Sequence, residues 1–390
     1  MTATAIRARD GVWLAEPGFG VYVHIPFCLH RCHYCDFNTY EDLDALHAPY
    51  VDALVADIER STRDVPPATS VFFGGGTPTL LAPAQLARVL AAVRSGTGIA
   101  PGAEVTIEVN PETVDARKFA ALLEVGFNRF SVGIQSFAPH VLESLGRTHS
   151  VETAQDALAV ARRAGAQDVN ADLIYGSPWE RPEDWLRSLE GVIDAGTDHV
   201  SAYALTVEAG TPLHTLVTTG RVPDVDGDVQ AERHALADQY LRTAGFERYE
   251  TSNWAQPGRA SRHNVLYWSA GNYQGFGAGA HAHIDGRRWW SQRLPRDFIA
   301  AVRAGRSTEA GSEELDHGRR GPEALMLGLR LTSGVQLDAL AELYGAAFLR
   351  ERVATIERLV EAGALERHRG WLRVSKEATM LADDVICRLL

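Results

Sequence analysis

Residues 21–37 read Val21-Tyr-Val-His-Ile-Pro-Phe-Cys28-Leu-His-Arg-Cys32-His-Tyr-Cys35-Asp-Phe37. The short apolar run Val21–Ile25 predicts a buried strand, and Pro26 ends it. Three cysteines then follow in one loop with the spacing Cys-x3-Cys-x2-Cys. Three soft thiolates on one short loop can converge on a single metal centre, and they leave one coordination position for a ligand other than cysteine.

The cysteine count does not decide whether this centre is a four-iron cluster or a zinc ion. The remaining cysteine, Cys387, lies three residues from the C-terminus, and nothing in the sequence brings it near the loop. A closed zinc site needs four ligands, so His24, His30 or His33 would have to supply the fourth. A four-iron cluster held by three cysteines instead keeps one iron open. Cysteines grouped three and one do not form a disulfide framework.

The cysteine loop after a first strand resembles the radical S-adenosylmethionine superfamily. The flanking Tyr22-Val-His-Ile-Pro-Phe-Cys28 is similar to a narrower group, the oxygen-independent coproporphyrinogen III oxidase family. The resemblance covers most of the chain, and its motifs follow one another in order. It implies a [4Fe-4S] cluster ligated by Cys28, Cys32 and Cys35, with S-adenosylmethionine bound at the open iron.

The composition is that of a large globular protein. The chain has 390 residues, 45% of them hydrophobic, which suffices for two domains or for one large domain with an appendage. Its net charge of −12 argues against a general nucleic-acid binder. No apolar run reaches transmembrane length, and Met1–Pro17 lacks the apolar core of a signal peptide. Together with the free clustered cysteines, this predicts a reducing, cytoplasmic location.

Six short apolar runs separated by helical patterns predict an α/β fold. They are Val21–Ile25, Val71–Phe73, Glu104–Val109, Arg129–Ile134, Val169–Ile174 and Val200–Leu205. Their spacing fits strand–helix units in a parallel sheet that is closed, or nearly closed, as a barrel. Asn110-Pro111 predicts a helix start, and Ser150 predicts the cap of a helix over Val151–Ala164. Six units leave a barrel open on one side, and the resemblance implies the partial (β/α)6, TIM-like barrel of radical S-adenosylmethionine proteins.

Polar motifs follow these strands at the end where such a barrel binds its ligands. The triplet Gly74–Gly76 permits close backbone approach to a ligand, although three glycines are also a common tight turn. The carboxylates of Glu108 and Asp172 can accept hydrogen bonds from a ligand or be satisfied by neighbouring protein groups. The resemblance implies S-adenosylmethionine contacts at Tyr22, Tyr34, Gly75, Gly76, Thr77 and Glu108, and contacts to a second such molecule at Gln135, Arg147 and Asp172.

The segment 246–294 is rich in aromatic residues and histidines, and we interpret it as a set of β-like stretches. They are Tyr249–Trp254, His263–Trp268 and Gly275–His283, followed by Trp289-Trp290. This composition suits a flat apolar ligand with a metal at its centre, and ordinary packing of half-buried strands would explain it equally well.

Within that segment, one motif resembles a signature of the heme chaperone branch of the family. The motif is His-Asn-x-x-Tyr-Trp, and it implies heme contacts at His263, Asn264, Tyr267 and Trp268. The axial ligand of the iron stays open among several histidines, including His263, His281 and His283. Two departures from the oxidases agree with the chaperone branch. Phe37 stands where the oxidases usually carry another cysteine, and only a short segment precedes the first strand.

The last part of the chain predicts helices followed by a small hairpin. Helical patterns at Glu323–Leu331, Leu337–Leu343 and Phe348–Glu361 precede hairpin strands at Ala364–Arg369 and Trp371–Val374. This order resembles a winged-helix module, but the acidic charge and the lack of a basic recognition helix argue against DNA reading. We therefore predict a loosely packed lead-in (1–18), a barrel (19–245), a β extension (246–294) and a C-terminal winged-helix-like domain (295–390).

Three functions are open at this point. The first, which we predict, is a heme chaperone that binds heme and delivers it to recipient proteins. Its scaffold would resemble a coproporphyrinogen III dehydrogenase but lack that activity. The second is the oxidase itself, in which a 5′-deoxyadenosyl radical abstracts a propionate hydrogen of coproporphyrinogen III. The third is a zinc-stabilised barrel without redox chemistry.

The predicted cofactors of the chaperone are a [4Fe-4S] cluster and S-adenosylmethionine. Its predicted partners are heme and heme-accepting proteins, with transient contact to membrane-bound recipients and a homodimer as candidates. Nucleic acid is not among them.

Overall fold

The computed structural model describes residues 7–61 and 65–390, which form an α/β protein with a smaller module at the C-terminal end. Residues 1–6 of the predicted lead-in lie outside the described residues. All six predicted strands are present, with somewhat different bounds. They are β1 (Phe19–Ile25), β2 (Ala68–Gly75), β3 (Ile99–Val109), β4 (Arg129–Gln135), β5 (Val169–Tyr175) and β6 (His199–Ala204).

These six strands pair in parallel and in chain order, as strand–helix units require. Helices lie between these strands and after the last of them, and they cover the outer face of the sheet with an apolar core. They are α1 (His47–Ser61), α2 (Pro83–Gly96), α3 (Ala116–Val125), α4 (Pro139–Ser144), α5 (Val151–Arg163), α6 (Pro182–Asp194), α7 (Pro212–Thr218) and α8 (Gly227–Thr243). The chain thus has the predicted partial (β/α)6 barrel.

The two helix starts predicted from capping residues behave differently. The hydroxyl of Ser150 accepts a hydrogen bond from the amide of Thr153, so it caps α5 as predicted. The side chain of Asn110 caps only a short 3-10 turn, through a bond from the amide of Glu112. The next α-helix is α3, and Asp115 is its N-cap.

The sheet does not close, and it continues beyond both β1 and β6. Its further strands are β7 (Glu247–Arg248), β8 (Asn253–Ala255), β9 (Asn272–Phe276), β10 (His281–Ile284), β11 (Arg287–Ser291) and β12 (Glu309–Glu314), with α10 (Pro295–Arg303) between the last two. In the described ranges the strand order is β12-β11-β10-β9-β1-β2-β3-β4-β5-β6-β8-β7. β9 pairs in parallel with β1, and β10 to β12 form an antiparallel ribbon beside it.

The interpretation of His263–Trp268 as β-like is wrong, because Arg262–Trp268 forms a helix, α9. The hydroxyl of Ser261 accepts a hydrogen bond from the amide of Asn264, as an N-cap does. The buried carboxylate of Glu104 also accepts bonds from the amides of Arg262 and His263, and a negative charge at this end stabilises the helix. Spacings of four residues then bring His263 and Tyr267 onto one face.

The C-terminal part folds as the predicted winged-helix-like module. It consists of α11 (His317–Gly328), β13 (Val335–Gln336), α12 (Leu337–Tyr344), α13 (Ala347–Glu361), β14 (Leu365–His368), β15 (Trp371–Val374) and α14 (Ala382–Cys387). Its strands pair in the order β13-β15-β14, and its helices bury a separate apolar core against them.

The expectation of a loosely packed lead-in is wrong for the part of it that the structure describes around Trp13. Trp13 and Leu14 are buried in the core of the C-terminal module. Their amides donate to the hydroxyls of Ser333 and Ser269, both at 3.1 Å. The division of the chain at residues 18, 245 and 294 stays a prediction. None of the helices in the described ranges is long and apolar enough to cross a bilayer.

Candidate cluster and cofactor site

A cleft opens inside the barrel at the C-terminal ends of its strands, where ligands bind in this fold. It is lined by the cysteine loop, by the glycine-rich end of β2 and by polar side chains of β3 to β6. The predicted residues among its lining are Cys28, Cys32, Tyr34, Cys35, Gly75, Gly76, Thr77, Glu108, Gln135, Arg147 and Asp172. The structure therefore brings most of the predicted site residues to one place.

The cysteine loop, residues 26–40, is held by backbone hydrogen bonds at both of its ends. The amide of Cys28 donates to the carbonyl of Tyr40 at 3.0 Å, and the amide of Tyr40 donates to the carbonyl of Pro26 at 2.8 Å. From the end of β2, the amide of Gly76 donates to the carbonyl of Ile25 at 2.8 Å, and the amide of Thr77 donates to the carbonyl of Phe27 at 2.7 Å. These bonds fix the loop directly against the end of β2.

The three thiols of the loop face the same cleft, and one of them has a cationic partner. Cys32 is buried, and the guanidinium of Arg147 donates to its Sγ at 3.4 Å. Burial, and then the neighbouring Cys35, raise the pKa of the Cys28 thiol to about 11. Iron binding here must therefore displace thiol protons, as metal binding by cysteine generally does. Cys387 is exposed at the end of α14, and it belongs to the other module.

Within the described residues, no group of three or more His, Cys, Asp or Glu side chains is arranged to hold a single metal ion. The zinc alternative, with His24, His30 or His33 as the fourth ligand, therefore has no support from the geometry. A [4Fe-4S] cluster makes a different demand, since each thiolate binds a different iron and the ligands do not surround one ion.

The glycine triplet is required by the close packing of β2 against the cysteine loop. A Cβ atom at Gly76 would lie 2.5 Å from the carbonyl oxygen of Phe27 and 3.0 Å from Sγ of Cys28. Gly75 has a φ of +118°, and a Cβ there would lie 2.4 Å from the ring of His24. The same glycines line the cleft, so close packing and ligand approach are both properties of this turn.

Two buried carboxyl groups, Glu108 and Asp172, lie inside the cleft. Oε2 of Glu108 accepts a hydrogen bond from the amide of Gly75 at 2.8 Å. Burial, and then the charge of Asp172, raise the pKa of Glu108 to about 8. Asp172 accepts from the hydroxyl of Ser131 at 3.0 Å and from the side-chain amide of Asn170 at 2.8 Å. Protein groups thus satisfy Asp172 much more fully than Glu108.

We expect Glu108 to make the cofactor-free protein less stable as the pH rises from about 4.5 to about 8. The folded protein holds this proton more tightly than the unfolded chain, since the pKa is raised from 4.5 to about 8. The stabilising contribution is thus complete below about pH 4.5 and is lost on approach to pH 8. Glu108→Gln, which is neutral at every pH, should remove this part of the pH dependence. Urea unfolding of both proteins at about pH 5 and about pH 8 measures it; parallel changes in the two would contradict the prediction.

Gln135 and Arg147 meet at the end of β4. Gln135 is a non-glycine residue with a φ of +66°, a strained conformation that is concentrated at functional sites. Arg147 donates to the carbonyl of Gly133 at 3.0 Å and to Oδ1 of Asn110 at 3.4 Å, in addition to Cys32. Arg147 therefore already connects the cysteine loop with the ends of β3 and β4.

The first strand contributes Tyr22 and an unpredicted anchor of the cysteine loop, His24. The hydroxyl of Tyr22 donates to Nδ1 of His24 at 2.9 Å, and Nε2 of His24 donates to the carbonyl of Asn38 at 3.0 Å. The side-chain amide of Asn38 then donates to the carbonyls of Ala278 and Arg293 at 3.0 and 2.9 Å. Asn38 thus ties the loop to the segment between β9 and β11.

The predicted heme motif lies at the other end of the barrel. His263 is buried, and its ring nitrogens contact the hydroxyls of Ser70 and Tyr267, both at 2.9 Å. Asn264 lines the bottom of the cleft, while Trp268 packs under the guanidinium of Arg330. The four residues share one short helix, but they do not form one exposed surface.

Curated proteins match this chain over nearly its full length. Heme chaperone HemW of Mycobacterium tuberculosis is 42% identical over 377 residues, 95% of this chain and 95% of the relative. This chain belongs to the HemW family. Heme chaperone HemW of Bacillus subtilis is 31% identical, in a match that covers 93% of this chain and 97% of that relative. The mitochondrial radical S-adenosyl methionine domain-containing protein 1 of Bos taurus is 37% identical over 95% of this chain and 87% of its own length.

Two domain families and one solved structure place this HemW-family chain within a larger group. Residues 22–192 match the radical SAM superfamily, and residues 315–381 match the HemN C-terminal domain. The structure of coproporphyrinogen III oxidase HemN from Escherichia coli superimposes with a TM-score of 0.83 at 20% identity, over 98% of this chain and 92% of that one. This likeness shows that the barrel and the C-terminal module share one fold with HemN.

Membership of the HemW family implies an iron–sulfur cluster and S-adenosylmethionine through the radical SAM superfamily. The donor set fits both groups: three thiols with one guanidinium partner, and a glycine-lined turn beside a buried carboxyl group. At the position of the additional cysteine of the oxidases, this HemW-family chain presents Phe37, whose side chain is 63% exposed.

Proposed function

We propose that this chain is a heme chaperone, which binds heme and transfers it to recipient proteins. The observation that carries the proposal is the resemblance to curated HemW proteins over 95% of the chain. Phe37 supports it, since an exposed aromatic residue replaces a thiol at the mouth of the cleft. The partners would be heme and heme-accepting proteins in the cytoplasm, membrane-bound recipients included, and a homodimer is part of the same proposal.

Cys28, Cys32 and Cys35 would ligate a [4Fe-4S] cluster, and S-adenosylmethionine would occupy the remaining iron. When bound, these groups together can supply one-electron reduction and a carbon radical. The residues of this chain bind and orient: Glu108 accepts a hydrogen bond from a cofactor amino group, and Gly75, Gly76 and Thr77 offer backbone groups. Tyr34 lines the cleft beside the thiols, and Tyr22 supports the cysteine loop through His24.

The second candidate function is the oxygen-independent oxidation of coproporphyrinogen III. Its supporting observation is that Gln135, Arg147 and Asp172 line the same cleft as the thiols, where a second S-adenosylmethionine would bind. The engagement of Arg147 with Cys32, Asn110 and Gly133 speaks against a free carboxylate clamp there. We therefore rank this function below the chaperone. The zinc-stabilised barrel ranks third.

One experiment separates the three functions. The anaerobically reconstituted protein is given ferric heme and, separately, coproporphyrinogen III with S-adenosylmethionine and a reductant. We expect a stable heme spectrum, transfer of that heme to an apo-recipient and no porphyrinogen conversion. Protoporphyrinogen formation would show an oxidase, and zinc without iron in the purified protein would show the third function. The Phe37→Cys variant, assayed in parallel, tests whether the missing thiol alone accounts for the lack of turnover.

A further inference from the structure

The face of the sheet that lines the cleft continues beyond the barrel onto the antiparallel ribbon. Tyr22 pairs with Phe72 on one side and with Gly275 on the other. The register that pairs His283 with Tyr273 places His281 opposite Gly275, and His281 in turn pairs with Trp290. Residues paired directly across strands share a face. Because Phe72 lines the cleft, His281 and Trp290 lie on the same face, outside the barrel.

The three candidate histidines differ in whether a ring nitrogen is available to a metal. His263 is buried and uses both nitrogens, as described above. In His283, Nδ1 donates to the carbonyl of Gly271 at 3.1 Å, and Nε2 accepts from the amide of Gly286 at 3.2 Å. His281 is exposed, and among the described residues neither of its ring nitrogens has a hydrogen-bond partner.

The orientation of His281 is fixed by its neighbours. Its ring stacks on the indole of Trp290, with centroids 5.7 Å apart and planes inclined by 29°. That indole lies over Gly311, where a Cβ would come within 2.5 Å of it. Partial burial of the ring, and then the nearby Arg288, lower the pKa of His281, which favours the neutral imidazole that metal ligation requires. The ribbon therefore presents an imidazole that its stacking on Trp290 orients before any ligand binds.

We propose that His281 is the axial ligand of heme iron, on the surface formed by the exposed His281 and the half-buried Arg288 and Trp290. The inference rests on the proposed heme binding and specifies its site. The imidazole would hold the iron through a free ring nitrogen, and the accessible edge of the indole would offer apolar contact to the porphyrin. Arg288, on the same face of β11, can pair with a propionate, in competition with its present partners Glu313 and Glu323.

This site also explains how heme could bind without disturbing the barrel. Ligation by His263 would require α9 to leave the barrel, because its ring is buried and both nitrogens are bonded. That movement would expose the carboxylate of Glu104, which holds the amides of Arg262 and His263. The ring of His281 makes no hydrogen bond within the described residues, so ligation by His281 would break none.

The test is a titration of ferric heme into the full-length, anaerobically reconstituted protein and three variants. We expect His281→Ala to raise the heme Kd about tenfold or more, corresponding to about 1.4 kcal/mol. His281→Cys should bind heme with the absorption spectrum of a thiolate-ligated iron in place of a histidine-ligated one. His283→Ala, on the same face and strand, is the control and should keep the wild-type Kd within about twofold.

The outcomes separate this inference from the proposed function. If the wild-type protein does not bind heme, the proposed function fails. If it binds heme and His281→Ala does so with equal affinity and an unchanged spectrum, the inference alone is refuted. Should His281→Ala weaken binding through misfolding, circular dichroism would reveal it. The His281→Cys spectrum would then decide, since a retained histidine-type spectrum refutes the inference and a thiolate-type spectrum supports it.

Discussion

Replacing Cys32 by alanine is expected to leave the purified protein without a stable iron–sulfur cluster. Cys32 is the buried member of the three thiols, and it accepts the hydrogen bond of Arg147 at 3.4 Å. Two remaining thiolates leave one further iron of the [4Fe-4S] cluster without its cysteine ligand. We expect iron and sulfide contents to fall to about a tenth of the wild-type values or less.

Iron and sulfide analysis and electron paramagnetic resonance of the reduced protein measure this loss. Cys387→Ala is the matched control, because it removes the exposed cysteine of α14 and should leave both contents unchanged. A Cys32→Ala protein with full iron and sulfide would refute the assigned ligation. Heme affinity provides a second readout. It should survive in Cys32→Ala, since the surface of His281, Arg288 and Trp290 belongs to other strands.

The barrel could be predicted from sequence because its strands are buried on both faces. Each carries buried apolar residues at alternate positions, as in β1, where Val21, Val23 and Ile25 are fully buried. Such strands alternate with capped helices, and this pattern has few alternative folds. The C-terminal module was predictable for the same reason, since α13 and the hairpin of β14 and β15 carry ordinary helix and strand patterns.

The prediction fails where tertiary contacts decide local structure. The motif from His263 to Trp268 is dense in aromatic residues, which favour strands, but the carboxylate of Glu104 caps it as a helix from far away in sequence. β12 has the sequence Glu-Ala-Gly-Ser-Glu-Glu, in which no apolar alternation signals a strand. Its pairing with β11 at the edge of the sheet is what makes it one.

The candidate site also has residues that the sequence predicts and residues that only the structure reveals. Thiols, glycines and carboxylates at strand ends could be predicted because the topology of a parallel barrel brings those ends together. The anchoring role of Asn38 could not, because its partners, Ala278 and Arg293, are about 240 and 255 residues away. His281 carried a weak signal as one histidine among several. Only the tertiary structure distinguishes it from His283, whose two ring nitrogens hydrogen-bond to Gly271 and Gly286.

Gly76→Ala is expected to destabilise the protein and to impair cluster assembly together, although it adds a single methyl group. The new Cβ would lie 2.5 Å from the carbonyl oxygen of Phe27, a backbone atom that cannot rotate away, and 3.0 Å from Sγ of Cys28. The amides of Gly76 and Thr77 hydrogen-bond to Ile25 and Phe27, so relief of the clash must break or lengthen these bonds. We expect a loss of about 1–3 kcal/mol in the free energy of unfolding.

The effect on the cluster should exceed what lost stability alone would cause, because the displaced atoms belong to the loop that carries the thiols. Gly227→Ala at the start of α8 is the matched control, since a Cβ there meets nothing within 4 Å and the position is helical. That change should be neutral or stabilise the protein by up to about 1 kcal/mol. Urea unfolding and iron content of both variants measure the two effects. Wild-type iron content in a destabilised Gly76→Ala protein would show that the end of β2 supports the fold without positioning the cysteine loop.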